Sequence, residues 1–455
     1  MTIQYKIDQM PSLLPDALNN MNEHGRGGWE LIHLYNNLGV FKSGLGGTIT
    51  SGSTNVSVDA FGRQRVADTF TLGDYKHLYS IDYNFLNYFV SGGSLTHNAN
   101  QALVVLQTSA SAASRTIHQT KMYHNYMPGK SQLVLSSFNF KAAQPGVIKR
   151  TGYFDDYNGI FFEQDATGSL NWVIRSATNG TGSIQENRIR QENWNVNTAN
   201  VPEFTLDITK TQLIWIDFQW LAVGRVRVGF VHQGSFVLCH MFDHSNYTDK
   251  PYMSNPNLPV RCEIRNTTTA TGSFDQICSS VMSEGGFVES GTTWGITSPN
   301  LRTITSASSV PIISIRLKNS YNNLQNRAFV RIDNMSVFTK DQTVKYRMVK
   351  LPSSASLTGG SWVSVNADST VEYNATATAI SGSGQELLNG FVFAGGIGVG
   401  NAIAGQGQVT GVATKNNYIA QNYDSNDSEI YSLVVTNMTA TSTDVGGATT
   451  WREVT

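Results

Sequence analysis

Four acidic residues crowd one stretch of this sequence, "YFDDYNGIFFEQD" at 153–165: Asp155, Asp156, Glu163 and Asp165. Two carboxylates held about 5–10 Å apart can act as acid and base, or as nucleophile and acid, in glycoside hydrolysis. Clustered carboxylates can also hold Ca2+. The same letters spell a turn, however. Asp-Asp-Tyr-Asn-Gly between two aromatic-rich runs is ordinary turn chemistry, and no Asp-x-Asp-x-Asp-Gly loop is present. A second cluster, "CHMFDHSNYTD" at 239–249, sets His240 and His244 four residues apart beside Cys239. That spacing suits a zinc helix, but no Glu follows the first His, and the surroundings read as a strand ending in a loop. No Gly-x-Ser-x-Gly elbow marks a nucleophile. Glycine-rich "AGGIGVGNAIAGQG" lacks the lysine of a phosphate-binding loop. The expectation is no catalytic residue, no metal site and no cofactor.

Aromatic residues offer a different chemistry. Tyr79, Tyr83, Tyr88, Tyr123, Tyr126, Tyr153 and Tyr157 cluster within 80 residues. Tyrosines exposed on a polar, weakly charged surface suit stacking on sugars or contact with another protein. Tyr123, Tyr126, Tyr153 and Tyr157 are the candidates of this kind, set against the alternative that each serves the core or its rim.

The densest apolar run, "TQLIWIDFQWLAVGRVRVGFVHQG" at 211–234, shows what must position such groups. Ile214, Ile216, Phe218 and Trp220 alternate with Trp215, Asp217 and Gln219. After "LAVG", Val226, Val228 and Phe230 alternate with Arg225 and Arg227. This period of two marks strands with one buried face. A hairpin whose opposed residues sum to 444 sets Asp217 against Arg227 and Gln219 against Arg225. It also pairs Ile216 with Val228 and Phe218 with Val226. A slip of one residue would turn the apolar set outward. The stretch therefore reads as a central sheet with an ion pair on its polar face.

Composition agrees. Charged residues make up 14% of the 455, and the formal net charge is −1. Neither nucleic acid nor an anionic membrane surface would be drawn to such a chain electrostatically. The 41 glycines and abundant Thr, Val and aromatic residues favour strands and turns. Three cysteines, Cys239, Cys262 and Cys278, are too few for a disulfide framework and are expected as reduced thiols. "MTIQYKIDQM" lacks the features of a signal peptide. No run approaches the ~18 apolar residues of a membrane span.

Residues 1–43 stand apart. "IQYKID" alternates as a strand, Leu14, Leu18 and Met21 line one face of a short helix, and "GWELIHLY" and "LGVFK" follow as strands. Ser12 suits the helix N-cap and Gly25 its stop. This predicts a small β-α-β-β unit. A Gly/Ser/Thr linker over 44–57 follows. From 58 to 350, short strands recur between turn signals such as Asn158–Gly159, Thr167–Gly168 and Asn179–Gly180, which predicts an antiparallel β-sandwich or jelly roll. Near 351 the chain turns richer in Ser, Thr and Gly, so 351–455 is either a separate β domain or a continuation of the sandwich.

Several ordered blocks carry a resemblance. "VDAFGRQRVADTFTLGD" (58–74), "QTKMYHNYMPGKSQ" (119–132), "RTGYFDDYNGIFFEQ" (150–164), "IDFQWLAVGRVRVGF" (216–230), "YMSNPNLPVRCEIRN" (252–266), "QICSSVMSEGG" (276–286) and "SWVSVNADSTVEYN" (361–374) come in that order, with "WREV" at the end. Together they resemble a recurrent virion structural protein of tailed bacteriophages. Residues 1–43, through Gly28, Trp29, Glu30 and Leu31, resemble a small uncharacterised family with no known activity. The resemblance implies a non-enzymatic component of the head decoration or tail appendage, made in the host cytoplasm and incorporated in the virion. It implies other virion proteins as partners and a homo-oligomer, with a trimer favoured by analogy to viral appendages. The 1–43 unit would be an adaptor. A host-surface glycan, recognised by a fibre-like module, is the alternative partner, and polysaccharide degradation by Asp155, Asp156 or Glu163 comes third.

Overall fold

The computed structural model describes residues 68–393 and 418–454, except 202–203, 289–290, 306 and 383, together with a short pairing of Thr50–Ser51 with Thr54–Asn55. That pairing lies within the expected linker. The β-α-β-β unit expected over 1–43 lies outside the described residues. The chain divides into one unit at Met1–Asp68 and another at Thr69–Thr455. The second is all β, with two single-turn 3-10 helices and no α-helix among the described residues.

Alternating sequence produces layered sheets here because each strand turns one apolar face to a shared core. A seven-stranded antiparallel sheet runs, in spatial order, Gln185–Arg190, Leu170–Ser176, Gly159–Gln164, Val147–Phe154, Val260–Asn266, Arg115–Thr120 and Phe85–Val90. Facing it is an eight-stranded sheet. Its order is Ser235–Phe242, Val226–His232, Gln212–Phe218, Ser131–Asn139, Ser273–Glu284, Leu103–Gln107 and Ser94–Asn98, with Thr69–Lys76 also paired to Ser273–Glu284. Between them lies one core in which Phe162 touches the rings of Phe138, Phe140, Trp172, Trp194 and Phe230. Full burial of each large apolar side chain contributes about 1.5–3 kcal/mol.

The hairpin at 212–232 adopts the register that its alternation requires. Ile216 opposes Val228, Asp217 opposes Arg227 and Phe218 opposes Val226. Arg227 Nε donates to Asp217 Oδ2 at 2.8 Å, and Ser131 Oγ also donates to Asp217. Gln219 and Arg225 differ from the expectation. They meet through the backbone, Gln219 N to Arg225 O at 3.1 Å, while the Arg225 side chain turns to Asp243 at 2.5 Å. The reason is the turn itself. Leu221 and Ala222 take positive φ, so the ladder ends at Phe218 and the side chains beyond it are no longer held opposite one another. Arg227 is half exposed, but Asp217 is buried and would keep only Ser131 as a side-chain donor without it. Arg227→Ala should therefore cost about 1–3 kcal/mol in urea unfolding. A loss below about 0.5 kcal/mol would show that the buried carboxylate does not depend on the pair.

A second sandwich follows the first. One sheet is built on Thr443–Val454, which pairs Thr292–Thr297, Arg302–Ile304 and Phe329–Thr339. The other orders Val363–Ser364, Val371–Asn374, Ser309–Leu317, Ile430–Asn437, Val344–Leu351 and Gln385–Val392. Its own core includes Ile313, Leu317, Val344, Leu433 and Trp451. The composition shift near 351 therefore marks no structural break. Val344–Leu351 pairs with both Gln385–Val392 and Ile430–Asn437, so residues on either side of 351 share a sheet. The change of core falls between Glu284 and Thr292 instead. Composition does not register this, because long-range pairing decides which strands share a core. No helix among the described residues is long and apolar enough to cross a membrane.

Candidate functional site

The acidic residues singled out from the sequence separate into three environments. Asp165 is a turn cap: its Oδ1 accepts hydrogen bonds from Thr167 N, Thr167 Oγ1 and Ser169 N. Asp155 is also a cap, accepting from Tyr157 N and Asn158 N at 2.8 Å each. Burial raises its pKa, with Arg261 and these bonds opposing. Only Asp156 and Glu163 reach a larger polar assembly, which lies on the face of the seven-stranded sheet turned away from the core.

That assembly is a row of alternating charges across neighbouring strands. Glu163 and Glu263 both oppose Arg150, from the strands on either side of it. Arg150 Nε donates to Glu163 at 2.7 Å and its Nη1 to Glu263 at 3.1 Å. Arg188 Nε donates to the other Glu163 oxygen at 2.7 Å. Arg115 Nη2 bridges Glu263 and Asp156, at 2.8 Å to each. Arg261 Nη1 reaches Asp156 at 2.8 Å. Beneath the guanidiniums, Phe154, Phe161 and Val173 form a small buried cluster, with Arg175 4.9 Å above the Phe161 ring centroid. Flat, weakly hydrated guanidinium groups suit this stacking.

The electrostatics follow from the pairing. Burial alone would raise the Glu263 pKa, but Arg115, Arg150 and Arg261 outweigh it and lower it to about 2. Asp156 is also opposed by burial, yet Arg261, Arg115 and the Tyr423 hydroxyl hold it well below the ordinary carboxylate range. A general acid near neutral pH needs the opposite, a carboxyl whose pKa is raised. Asp156 and Glu263 are instead held as ionised acceptors.

The row continues into the second sandwich. Tyr423, on the loop that leads to Ile430–Asn437, donates its hydroxyl to Asp156 and stacks on Tyr88 with ring centroids 4.1 Å apart. Nearby, Glu429 accepts from Lys121 of the first sandwich and from Lys350 of the second, at 2.9 Å each. Its Oε2 also accepts from Ala420 N at 3.1 Å. Lys121 Nζ stands 4.0 Å from the Tyr83 ring centroid. Charged hydrogen bonds of this kind join the two cores across their seam.

Sequence reasoning missed Arg115, Arg150, Glu263, Arg261, Tyr423 and Glu429. A signal was present in part. In "VRCEIRN", charges alternate with apolar residues in a strand whose apolar set already points to the core. Charges at every second position of a strand flanked by similar strands can form a ladder.

The tyrosine candidates need correction. Tyr123, Tyr126 and Tyr153 are buried and present no open ring face to a sugar. Tyr153 donates to His124 O and accepts from Gln132 Nε2 and Leu258 N. Tyr126 accepts from Trp220 N, and Tyr123 lies under Arg327 at 5.0 Å. Burial wins because these rings sit beneath the loops around 255–258 and at the seam, contacts that no local pattern records. Tyr157 is half-buried beside the Asp155 turn.

The zinc-like spacing does not assemble a site. His240 accepts from Asn195 N, whereas His244 bonds Gly224 O and stacks on Tyr252. No group of three or more metal-ligating side chains occurs among the described residues. The three cysteines are unpaired thiols. Cys239 and Cys262 are buried, and burial pushes each pKa up to about 12, whereas Cys278 is exposed.

No known protein family matches the chain, and no curated protein sequence does. Solved structures with some likeness include a protein of unknown function from Shewanella oneidensis MR-1 (10% identity, TM-score 0.32), which aligns with 50% of this chain and 91% of its own. A family 16 endo-glucanase from Bacteroides ovatus shows 10% identity over 46% of this chain and 99% of its own, with TM-score 0.32. The CBM2 module of the evolved Dit of Lactobacillus casei BL23 phage J-1 shows 9% identity over 50% of this chain and 100% of its own, again with TM-score 0.32. Likeness at this level fixes no activity, ligand or partner for the chain.

Proposed function

We propose that this chain is a non-enzymatic structural component of a tailed-bacteriophage virion, contributing to head decoration or to the tail appendage through protein–protein contacts. The observation that carries the reading is the commitment of the carboxylates. Asp156, Glu163 and Glu263 serve as paired acceptors of Arg115, Arg150, Arg188 and Arg261, while Asp155 and Asp165 cap turns. Asp156 and Glu263, whose pKa values these pairs lower, serve in this reading as scaffold and not as proton donors. The ordered resemblance over 58–454 supplies the virion context, and a low-charge polar surface suits assembly into a larger particle. In this reading the chain joins other virion proteins as a homo-oligomer, and residues 1–43 act as the adaptor.

The test is direct. Mass spectrometry and antibody-labelled electron microscopy of purified particles should find the chain at a defined virion location and in stoichiometric amount. Absence from purified particles would reject the reading. In parallel, the purified chain should release no reducing sugar from a panel of polysaccharides. Release that disappears in Glu163→Gln would establish an enzyme instead.

A further inference from the structure

A cleft of about 300 Å3 opens where the two sandwiches meet, away from the charged row. The first sandwich supplies Asn125, Asn255 and Asn257, and the second supplies Tyr321, Leu324 and Gln325. From these residues we propose that the cleft is a binding site for a neutral oligosaccharide. The proposal goes beyond the virion reading and does not depend on it.

The first argument is the kind of polar group present. A side-chain amide offers both donors and acceptors, as a sugar hydroxyl does. Four lining residues carry amides whose capacity is only partly used. Asn255 Oδ1 accepts from Asn257 N, and Asn257 Oδ1 accepts from Tyr126 N, both at 2.8 Å. These bonds fix both amide planes and leave their NH2 groups to donate elsewhere. Asn125 and Gln325 make no side-chain hydrogen bond among the described residues, so both amides keep their full capacity.

The second argument is charge. No carboxylate lines the cleft among the described residues, which disfavours a cationic ligand. Arg327 is the one formal charge there, and it donates to the carbonyls of Asn422 and Tyr423 at 2.9 and 2.7 Å. It stacks over Tyr123 as well, so both of its Nη groups and its ring-facing side are already engaged within the protein.

The third argument is preorganisation. Ser320–Tyr321 and Leu324–Gln325 form a hairpin in which Tyr321 opposes Leu324. Its two turn residues, Asn322 and Asn323, both take positive φ, 49° and 63°. That is the type I′ geometry that asparagine tolerates and that matches strand twist. The Tyr321 hydroxyl donates to Asp368 O at 3.3 Å. The turn and this bond hold an aromatic and an aliphatic side chain at the cleft edge, where the apolar face of a pyranose could rest. A cleft of this volume falls within the range of small-ligand sites.

The experiment uses the full-length purified chain, so its result is independent of particle incorporation. Binding is screened on an array of neutral and acidic oligosaccharides, and hits are titrated by calorimetry. We expect neutral glycans to bind. The double variant Asn125→Ala/Gln325→Ala should weaken them at least tenfold with an unchanged melting temperature, while Tyr247→Ala, a highly exposed residue outside the cleft, should have no effect. Tyr321→Leu provides a second test that retains an apolar hairpin side chain but removes the ring, and it too should weaken binding. No neutral glycan bound at about 1 mM, where binding is worth only about 4 kcal/mol, would overturn the proposal. So would recognition of acidic glycans alone, or neutral binding that survives both variants.

Discussion

Glu263→Gln should lower the unfolding free energy by about 3–5 kcal/mol, because it removes one charge from a buried assembly and leaves Arg115 and Arg150 with one carboxylate partner each. Glu263 is almost fully buried and accepts from Arg115 and Arg150, with Arg261 close by. Urea unfolding of the wild type and the variant measures the loss. A loss below about 1 kcal/mol would show that the row is not the scaffold described here. The measurement also separates two roles for the carboxylate. Catalytic groups are commonly held at some cost to stability, so removing one tends to be neutral or stabilising.

The same residue has a pH signature. The Glu263 pKa is lowered to about 2 in the folded chain, against about 4.3 for an unpaired glutamate. A lowered folded-state pKa means that the stabilisation is complete above the unfolded value and is lost as pH falls from about 4.3 towards 2. Asp156 acts in the same direction. Buried histidines set an earlier limb. Burial lowers the pKa of His118, with His77 adding to it, and burial lowers His124 to about 4 against its hydrogen bond to Leu258 O. Both prefer the neutral form when folded, so stability begins to fall as pH drops below about 6.5, the unfolded value. Glu263→Gln should flatten the limb below pH ~4.3 and leave the histidine limb in place. An unchanged acid limb would remove Glu263 from the account.

Glu429→Gln should cost about 3 kcal/mol and loosen the coupling between the sandwiches. Glu429 is the shared acceptor of Lys121 and Lys350, and Lys350 is 3% exposed. Burial lowers the Lys350 pKa while Glu429 raises it, so removing the carboxylate exposes the full cost of a buried ammonium. In wild-type calorimetry the two cores should unfold together. In the variant they should begin to separate into two transitions. A single transition at an unchanged midpoint would show that the apolar part of the seam suffices.

Much of the local structure was legible in the sequence. At 212–232, alternation of Ile214, Ile216 and Phe218 with Trp215 and Asp217 identified the strand, its buried face and its partner register, because a period of two allows only one face to be apolar. Turn residues such as Asn158–Gly159 marked the ends of strands for the same local reason. The mainly β class followed from composition and repetition of these signals.

What only the tertiary structure decided is what long-range pairing brings together. Glu263 meets Arg115 across 148 residues, and Tyr423 meets Asp156 across 267. No spacing rule spans such distances, since any two strands of suitable pattern could have paired. Burial of Tyr123, Tyr126 and Tyr153 depends on loops folded over them, so the residues themselves carry no mark of it. The passage from one core to the next between Glu284 and Thr292, and the cleft between Asn125 and Tyr321, exist because two separately closed sandwiches meet. Local preference selects strands and faces; which strands share a core, and what lies in the seam, is settled by packing among residues far apart in the chain.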